Sequence, residues 1–298
     1  MLSPRLSLSR HGPSFSRIVA GMWRLADWNL SLAERIRLIE QCIELGVTTF
    51  DHADIYGDYQ CQQLFGAALQ QAPALKQQIQ LVSKCGIKLT SSHRLEHRIK
   101  HYDTSAAHIL ASTERTLAEL QVETLDLLLI HRPDPLMDYD EMARAFETLR
   151  AAGKVRHFGV SNFTPLQFEA LNSRIELVTN QVEFSPLQLS ALQDGQFDTL
   201  QRHGVAPMIW SALGGGLLFR HNDTSPLQAV LAQLAAQYGS SVASLVYAWI
   251  MQLPCRPLPL TGSGRIEVIR DAVAACSLSL ERQDWYRILQ AACGHEVA

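Results

Sequence analysis

Eight short apolar runs, each followed by a helical pattern or by a helix and a loop, set the limits on what this chain can fold into. The runs are Ile18–Met22, Val47–Phe50, Ile79–Ser83, Thr124–Ile130, Val155–Val160, Leu177–Val182, Val205–Ile209 and Arg256–Leu260. They are short, mostly aliphatic or β-branched and bounded by turn residues, which reads as buried strand. Helix signals stand between them. Ser31 with Glu34 forms a capping box ahead of Ile36, Ile39, Cys42 and Ile43, and Gly46 stops that helix. Further helices are predicted over Gln60–Leu69, from Ser105 to Leu120, and over Asp140–Ala152, which ends at Gly153. Thr164-Pro165 and Ser225-Pro226 each place a cap and a proline at a helix start. Val242–Gln252 and Glu281–Ala291 complete the set. Parallel strands need long crossovers, and this alternation supplies them.

Two α/β architectures alternate in this way. An open doubly wound sheet would carry a glycine-rich turn directly after its first strand. No GxGxxG occurs; Gly262-Ser263-Gly264 lacks the third glycine and lies near the C-terminus. Eight units therefore favour a closed (β/α)8 TIM barrel. Arg5–Ser16 alternates around His11-Gly12-Pro13, which predicts an N-terminal β-hairpin closing the bottom of the barrel. A length of 298 residues suits one such barrel, and no linker rich in Pro, Gly or Ser divides it, so residues 1–298 are expected to form one domain. With 18% charged residues, a net charge of −3 and no long basic run, nucleic acid and anionic membrane are not expected as partners. Met1–Arg10 lacks a signal-peptide core, and Val242–Leu253 is too short to span a bilayer. The six cysteines form no CxxC pair, so reduced thiols in a cytoplasmic protein are expected.

In a barrel of this kind the C-terminal strand ends form the active-site mouth. Here they carry Gly21-Met22-Trp23, Asp51 with Tyr56 five residues on, Ser83-Lys84-Cys85-Gly86, and His131-Arg132-Pro133-Asp134. The others carry Ser161-Asn162-Phe163, Asn180-Gln181 with Glu183, Trp210-Ser211-Ala212-Leu213-Gly214-Gly215-Gly216, and Thr261-Gly262-Ser263-Gly264-Arg265. A lysine ending an apolar strand is unusual, because buried lysine is rare unless paired. Asp51, on the neighbouring strand, is an available partner. A lysine near Tyr56 favours the phenolate and is expected to lower the phenol pKa from its usual value of about 10. A tyrosine so tuned, with His131 alongside, suits proton donation to a carbonyl oxygen. Each residue alone has a plainer reading: Asp51 capping a loop, Tyr56 as half-buried packing, His131 as a hydrogen-bonded core histidine. Four such residues on three adjacent strand ends are poorly explained by chance.

Along nearly its whole length the chain resembles the aldo-keto reductase superfamily. The resemblance is carried by Thr49-Phe50-Asp51-His52-Ala53-Asp54-Ile55-Tyr56-Gly57, Ser83-Lys84-Cys85-Gly86, Asp126-Leu127-Leu128-Leu129-Ile130-His131-Arg132-Pro133-Asp134, Gly153-Lys154-Val155-Arg156, Gly159-Val160-Ser161-Asn162-Phe163 and Asn180-Gln181-Val182-Glu183. Within the family it looks nearest to a bacterial group of predicted oxidoreductases. The resemblance implies an NADPH-dependent reduction of small aldehydes or ketones. Tyr56 would protonate the carbonyl oxygen, Lys84 paired with Asp51 would tune Tyr56, and His131 would orient the carbonyl. It also implies that Ser161, Asn162 and Gln181 hold the nicotinamide carboxamide and that Trp210 stacks on its ring. Ser211, Ala212, Leu213, Gly214, Gly215 and Gly216 would follow the pyrophosphate, and Thr261, Gly262, Ser263, Gly264 and Arg265 would meet the adenosine 2′-phosphate. Trp23 belongs to the same set of mouth contacts. Many members carry a Glu-Asn pair against adenine; the matching positions here are Asp271-Ala272, so half of that contact is missing.

Other features have weaker claims. His93, His97 and His101 would share one face of a helix, yet Arg94, Arg98 and Lys100 crowd the same segment and oppose a metal ion. A solvated lid loop over the mouth is the expected role. Arg132 is expected to pair with Asp134 or Asp138. His52 should point away from the side of Asp51, and Cys85 outward into packing. No metal is assigned. The substrate is expected to lie against Trp23, Ile55, Lys88–Asp103 and Phe219–Thr224. A monomer or homodimer is expected. Two other functions stand beside the reductase. One is an NADP(H)-binding regulatory subunit with slow or no turnover, separable by a turnover assay; the other is a metal-dependent barrel hydrolase, separable by metal analysis.

Overall fold

The structure, a computed structural model, describes residues 2–219 and 225–297. Each predicted run overlaps a strand, six of which extend past the C-terminal end of the run: β1 (Val19–Gly21), β2 (Thr49–Asp51), β3 (Gln80–Cys85), β4 (Leu125–Ile130), β5 (Val155–Ser161), β6 (Asn180–Glu183), β7 (Met208–Trp210) and β8 (Leu258–Thr261). They pair in parallel in sequence order, and β8 closes on β1 through Leu260↔Val19 and Thr261↔Ala20. The result is the expected (β/α)8 barrel. The main departure is at the end of β3, where Lys84 and Cys85 continue the ladder opposite Leu129 and Ile130. The apolar run stops at Ser83, but the strand does not, because the Lys84 charge is met by Asp51 rather than by water.

The crossovers carry α1 (Leu32–Glu44), α2 (Cys61–Gln71), α3 (Ala106–Leu120), α4 (Tyr139–Ala151), α5 (Pro165–Asn172), α6 (Gln196–Arg202), α7 (Pro226–Gln237), α8 (Val242–Met251), α9 (Ile266–Ala274) and α10 (Arg282–Cys293). The Ser31–Glu34 capping box forms as read, and so does a second one at Thr164 and Gln167. The sequence reading misses α6 and α9. Neither has a side-chain cap: α6 starts from Gly195 at φ 82° and α9 from Arg265. The segment after β3, expected as a loop, folds back as a two-stranded ribbon, Ile87–Lys88 against His101–Tyr102.

The period-two alternation of side chains sorts the barrel into two apolar clusters. Val19, Val82, Leu127, Leu129, Met208 and Leu258 fill the interior. Ala20, Phe50, Leu81, Leu128, Ile130, Val160, Val182 and Ile209 face the helices. The N-terminal hairpin (Arg5–Ser7 with Ser14–Ser16) adds Leu8 and Phe15 to the interior cluster. Arg5 bonds Thr48 and Gln80, and Ser16 bonds the backbone N–H of Thr48 and Thr49, so the hairpin closes the end where β2 and β3 begin. Among the described residues no single helix is long and apolar enough to cross a membrane. The α7–α8 pair passes such a test only jointly, across a 93° bend.

Candidate active site

The same alternation decides which polar side chains reach the mouth. Phe50 faces the helices, so Asp51 points inward and His52 outward. Val82 points inward, and so does Lys84 two residues later. Val160 and Val182 face the helices, which turns Ser161 and Gln181 inward. His52 accordingly lies fully buried against Phe65, with ring centroids 4.5 Å apart, as the alternation predicts. Burial and the nearby Lys84 charge press its pKa down to about 3, so it is neutral.

Lys84 is fully buried and uses all three ammonium protons. It donates to Asp51 Oδ2 at 2.6 Å, to the His52 carbonyl at 2.9 Å and to the Tyr56 hydroxyl oxygen at 3.0 Å. Burial works to depress the ammonium, but Asp51 and Tyr56 outweigh it and hold Lys84 above its ordinary value. Tyr56 corrects an expectation. Its phenol is pushed above, not below, its ordinary value, because burial exceeds the opposing pull of Lys84, and Asp51 adds to the rise. His131 joins the group edge-on to Tyr56, ring centroids 5.9 Å apart, on backbone held by its N–H to the Cys85 carbonyl. Burial, then the Lys84 and Arg132 charges, hold His131 well below its ordinary pKa, so its ring is neutral. The loop after Tyr56 is tight: Gly57 has φ 57°, and a Cβ there would stand 2.5 Å from Cys61 Sγ and 2.8 Å from Ala26 Cβ.

A second hydrogen-bonded chain lines the opposite side. Trp210 Nε1 donates to Asn162 Oδ1 at 3.0 Å, Asn162 Nδ2 to Ser161 Oγ at 2.8 Å, and Ser161 Oγ to the Gln181 carbonyl at 2.9 Å. Asn162 (φ 60°) and Ser211 (φ 52°) each sit one residue past a strand end in left-handed backbone. Such strain in non-glycine residues concentrates at functional sites. Beyond them Ala212 is buried and Leu213 is partly buried, while Gly215 and Gly216 are exposed. Arg24 donates to the Gly215 carbonyl at 3.3 Å, tying the loop after β1 to the glycine run. Thr261, which ends β8, is buried; beyond it Gly262 and Arg265 are exposed, and the Arg265 backbone N–H donates to Ser263 Oγ at 3.1 Å. Gly264 lies on the Trp28 ring, where a Cβ would come within 2.6 Å. Asp271 sits on α9 with its side chain exposed and its carbonyl accepting from Ser244.

Two loop readings change. Arg132 forms no ion pair with Asp134 or Asp138; its guanidinium lies over the Trp210 ring, 5.3 Å from the centroid. Asp134 instead accepts from Thr104 Oγ1 and the Leu136 N–H, and Asp138 caps α4. The 88–103 segment is not a free lid. The Leu89 N–H donates to Tyr59, Arg94 lies over the Tyr59 ring and near Glu119 of α3, and His97 is buried. His93 stands near Asp58, and no group of three or more His, Cys, Asp or Glu among the described residues is placed to hold a metal ion. Trp23 is 57% exposed at the rim and Phe219 is 47% exposed; residues 220–224 of the expected wall lie outside the described residues. Sequence reasoning missed the Arg132–Trp210 stack, the Arg24 tie, and the bond from Gln181 to Asp51, since none has a local pattern.

This barrel, with an acid, a lysine, a tyrosine and a histidine converging at its mouth, has known counterparts. Residues 17–292 match the Aldo/keto reductase family. The chain is 52% identical over 296 residues to oxidoreductase YdhF of Escherichia coli (strain K12), covering 98% of this chain and 99% of the relative. It is 41% identical over 286 residues to a 6-dehydroglucose reductase of Agrobacterium fabrum, covering 95% and 96%. The fold likeness extends to the glycerol dehydrogenase AKR11B4 of Gluconobacter oxydans, with a TM-score of 0.86 at 22% identity, covering 99% of this chain and 97% of that one. The chain belongs to the aldo-keto reductase family, as an oxidoreductase of a bacterial group.

Proposed function

We propose that the protein reduces the carbonyl of small aldehydes or ketones to alcohols with NADPH, and that Tyr56 is the general acid. The observation that carries this reading is the Lys84 ammonium. It spends its three protons on Asp51, the His52 carbonyl and the Tyr56 oxygen, so Tyr56 accepts there and keeps its own O–H for an acceptor in the mouth. A carbonyl oxygen gains negative charge as its carbon is reduced, and a placed donor stabilises that charge most when it is greatest. The Lys84 charge then stabilises the phenolate that proton transfer leaves, while Asp51 keeps Lys84 charged against burial. Burial holds the phenol protonated between turnovers. His131, held neutral, has an N–H to orient the carbonyl and no charge with which to compete as the acid.

The residues present fit a nicotinamide cofactor, which when bound supplies the hydride. An added Cβ at Gly215, Gly216 or Gly262 would meet nothing within 4 Å, so these loops leave backbone open to a phosphate chain. Trp210 would face the nicotinamide ring, and Ser161, Asn162 and Gln181 its carboxamide. The exposed Arg265 guanidinium would meet a 2′-phosphate, for which its planar fork is suited. The name 6-dehydroglucose reductase, borne by the Agrobacterium relative, supports carbonyl reduction and puts oxidised sugars among the substrates to try. The test is loss of NADPH, with NADH in parallel, against aldehydes, quinones, α-keto acids and oxidised sugars. Turnover in one class with a preference for NADPH is expected. No turnover in any class would overturn the reading.

A further inference from the structure

The two sides of the mouth meet at one side chain. Gln181 is 2% exposed on β6, and its Nε2 donates to Asp51 Oδ1 at 2.8 Å. That is the carboxylate oxygen Lys84 leaves free. The orientation of the amide follows from chemistry: Oε1 turned toward Asp51 would set lone pair against lone pair, so the NH2 end must face the carboxylate. Oε1 then has no hydrogen bond among the described residues, yet it is not among their buried unpartnered atoms. Its neighbours differ. Asn162 Oδ1 already accepts from Trp210, and Asn162 Nδ2 and the Ser161 hydroxyl already donate within the protein. Of the three expected carboxamide contacts, only Gln181 offers an acceptor that no protein group occupies.

We propose that Gln181 is a positioning residue that couples cofactor occupancy to the proton donor, accepting a carboxamide N–H at Oε1 and passing the polarisation through Nε2 to Asp51. The inference rests on the nicotinamide reading above and concerns what Gln181 does beyond holding the cofactor. An amide that accepts at its oxygen donates more strongly from its nitrogen. A stronger bond at Oδ1 draws negative charge off the Asp51 carboxylate. The Lys84 charge is then less neutralised where it meets Tyr56, and the phenol gives up its proton more readily. The proton donor is thus sharpened only when the hydride source is in place, through an unbroken line of bonds from Gln181 to Asp51, Lys84 and Tyr56.

The test crosses one variant with two cofactors. Gln181→Met keeps the volume and removes both hydrogen bonds. With NADPH it should weaken cofactor binding about tenfold and also lower kcat at saturating cofactor about tenfold. The 3-acetylpyridine analogue of NADPH has no carboxamide N–H to give. With it, the cost of the variant in kcat should shrink to about threefold or less. A merely structural role would cost the same with both cofactors, and a simple clamp would leave kcat at saturation unchanged; either result overturns the inference. A second reading needs no turnover. The Gln181 side-chain amide resonance in NMR should move when NADP+ binds, and should move the other way in Asp51→Asn. NADP+ that binds without moving it overturns the coupling alone, whereas NADP+ that fails to bind overturns the functional reading and the coupling together.

Discussion

Replacing Tyr56 with Phe removes one oxygen and leaves the ring between Lys84 and His131, so it isolates the proposed proton donor. Carbonyl reduction should fall on the order of a thousandfold while NADPH affinity stays within about twofold, read by steady-state rates and cofactor fluorescence. Activity near the parent level would sink the assignment. Asp54 poses a separate question two residues earlier. One of its oxygens accepts from Ser112 at 3.0 Å, and the other is buried without a partner. Burial pushes the carboxyl up to about 7, against the Ser112 and Ile55 bonds and the Arg115 charge, with Glu119 adding to the rise. An acid raised in the folded state holds its proton there while the unfolded chain, titrating near 3.8, releases it. Its contribution to stability is therefore fully present below pH 3.8, falls as pH climbs to about 7, and is level above. Denaturant melts should show Asp54→Asn gaining on the parent across that window, by up to about 1.4 kcal/mol per pH unit. A difference that does not change with pH would mean Asp54 is ionised throughout. At this scale the sequence was legible where a polar residue interrupts an apolar strand, as at Asp51, Lys84 and His131. It was not legible for Gln181 and Asp51, which bond across the barrel 130 positions apart. Nor was the direction of the Tyr56 shift, because burial, the larger effect, has no signature in composition.

Elements were legible wherever a side chain ends them. Ser31, Ser105, Thr164 and Ser225 each cap the helix they announce; of the helices without a side-chain cap, α2 and α10 were read and α6 and α9 were not. The 88–103 segment escaped for a different reason. Its order comes from Tyr59, Glu119 and the short ribbon, all distant in sequence, and its own residues show neither period. Packing between helices is equally silent until the backbones are placed. Gly66 on α2 lies so close to α3 that a Cβ there would fall 1.9 Å from the Glu119 carbonyl oxygen. The obstacle is backbone, which cannot swing aside as a long side chain can. By helix propensity alone Gly→Ala should stabilise by about 1 kcal/mol. The contact reverses the sign, and Gly66→Ala should cost about 2–4 kcal/mol through separation of the two helices. Thermal unfolding measures it; an unchanged or raised Tm would show that α2 and α3 separate freely.

Across the molecule, the barrel separates what stabilises from what reacts. One end is closed by the hairpin and the other is open at the mouth, and both were readable: eight runs gave closure, and the alternation from Arg5 to Ser16 gave the plug. Side-chain direction along each strand then followed from period two alone, which is why the polar mouth could be listed before its geometry was known. Gln80, which Arg5 reaches, and Lys84 stand four residues apart on β3, roughly 13 Å along the strand. Phe15 is fully buried in the interior cluster with Leu8, Val19 and Val82, on the plug side of that distance. Truncating it should leave a cavity costing about 3–5 kcal/mol, because the surrounding strands are hydrogen-bonded on both sides and cannot collapse inward. The strand ladder is stiff, so the loss should not reach the Asp51–Lys84–Tyr56 group. Phe15→Ala is therefore expected to lower Tm by several degrees while kcat and KM, measured well below the new Tm, stay within about twofold. A variant equally destabilised but also slowed would mean that the plug sets the register of β2 and β3 at the mouth. The two ends would then form one mechanical unit.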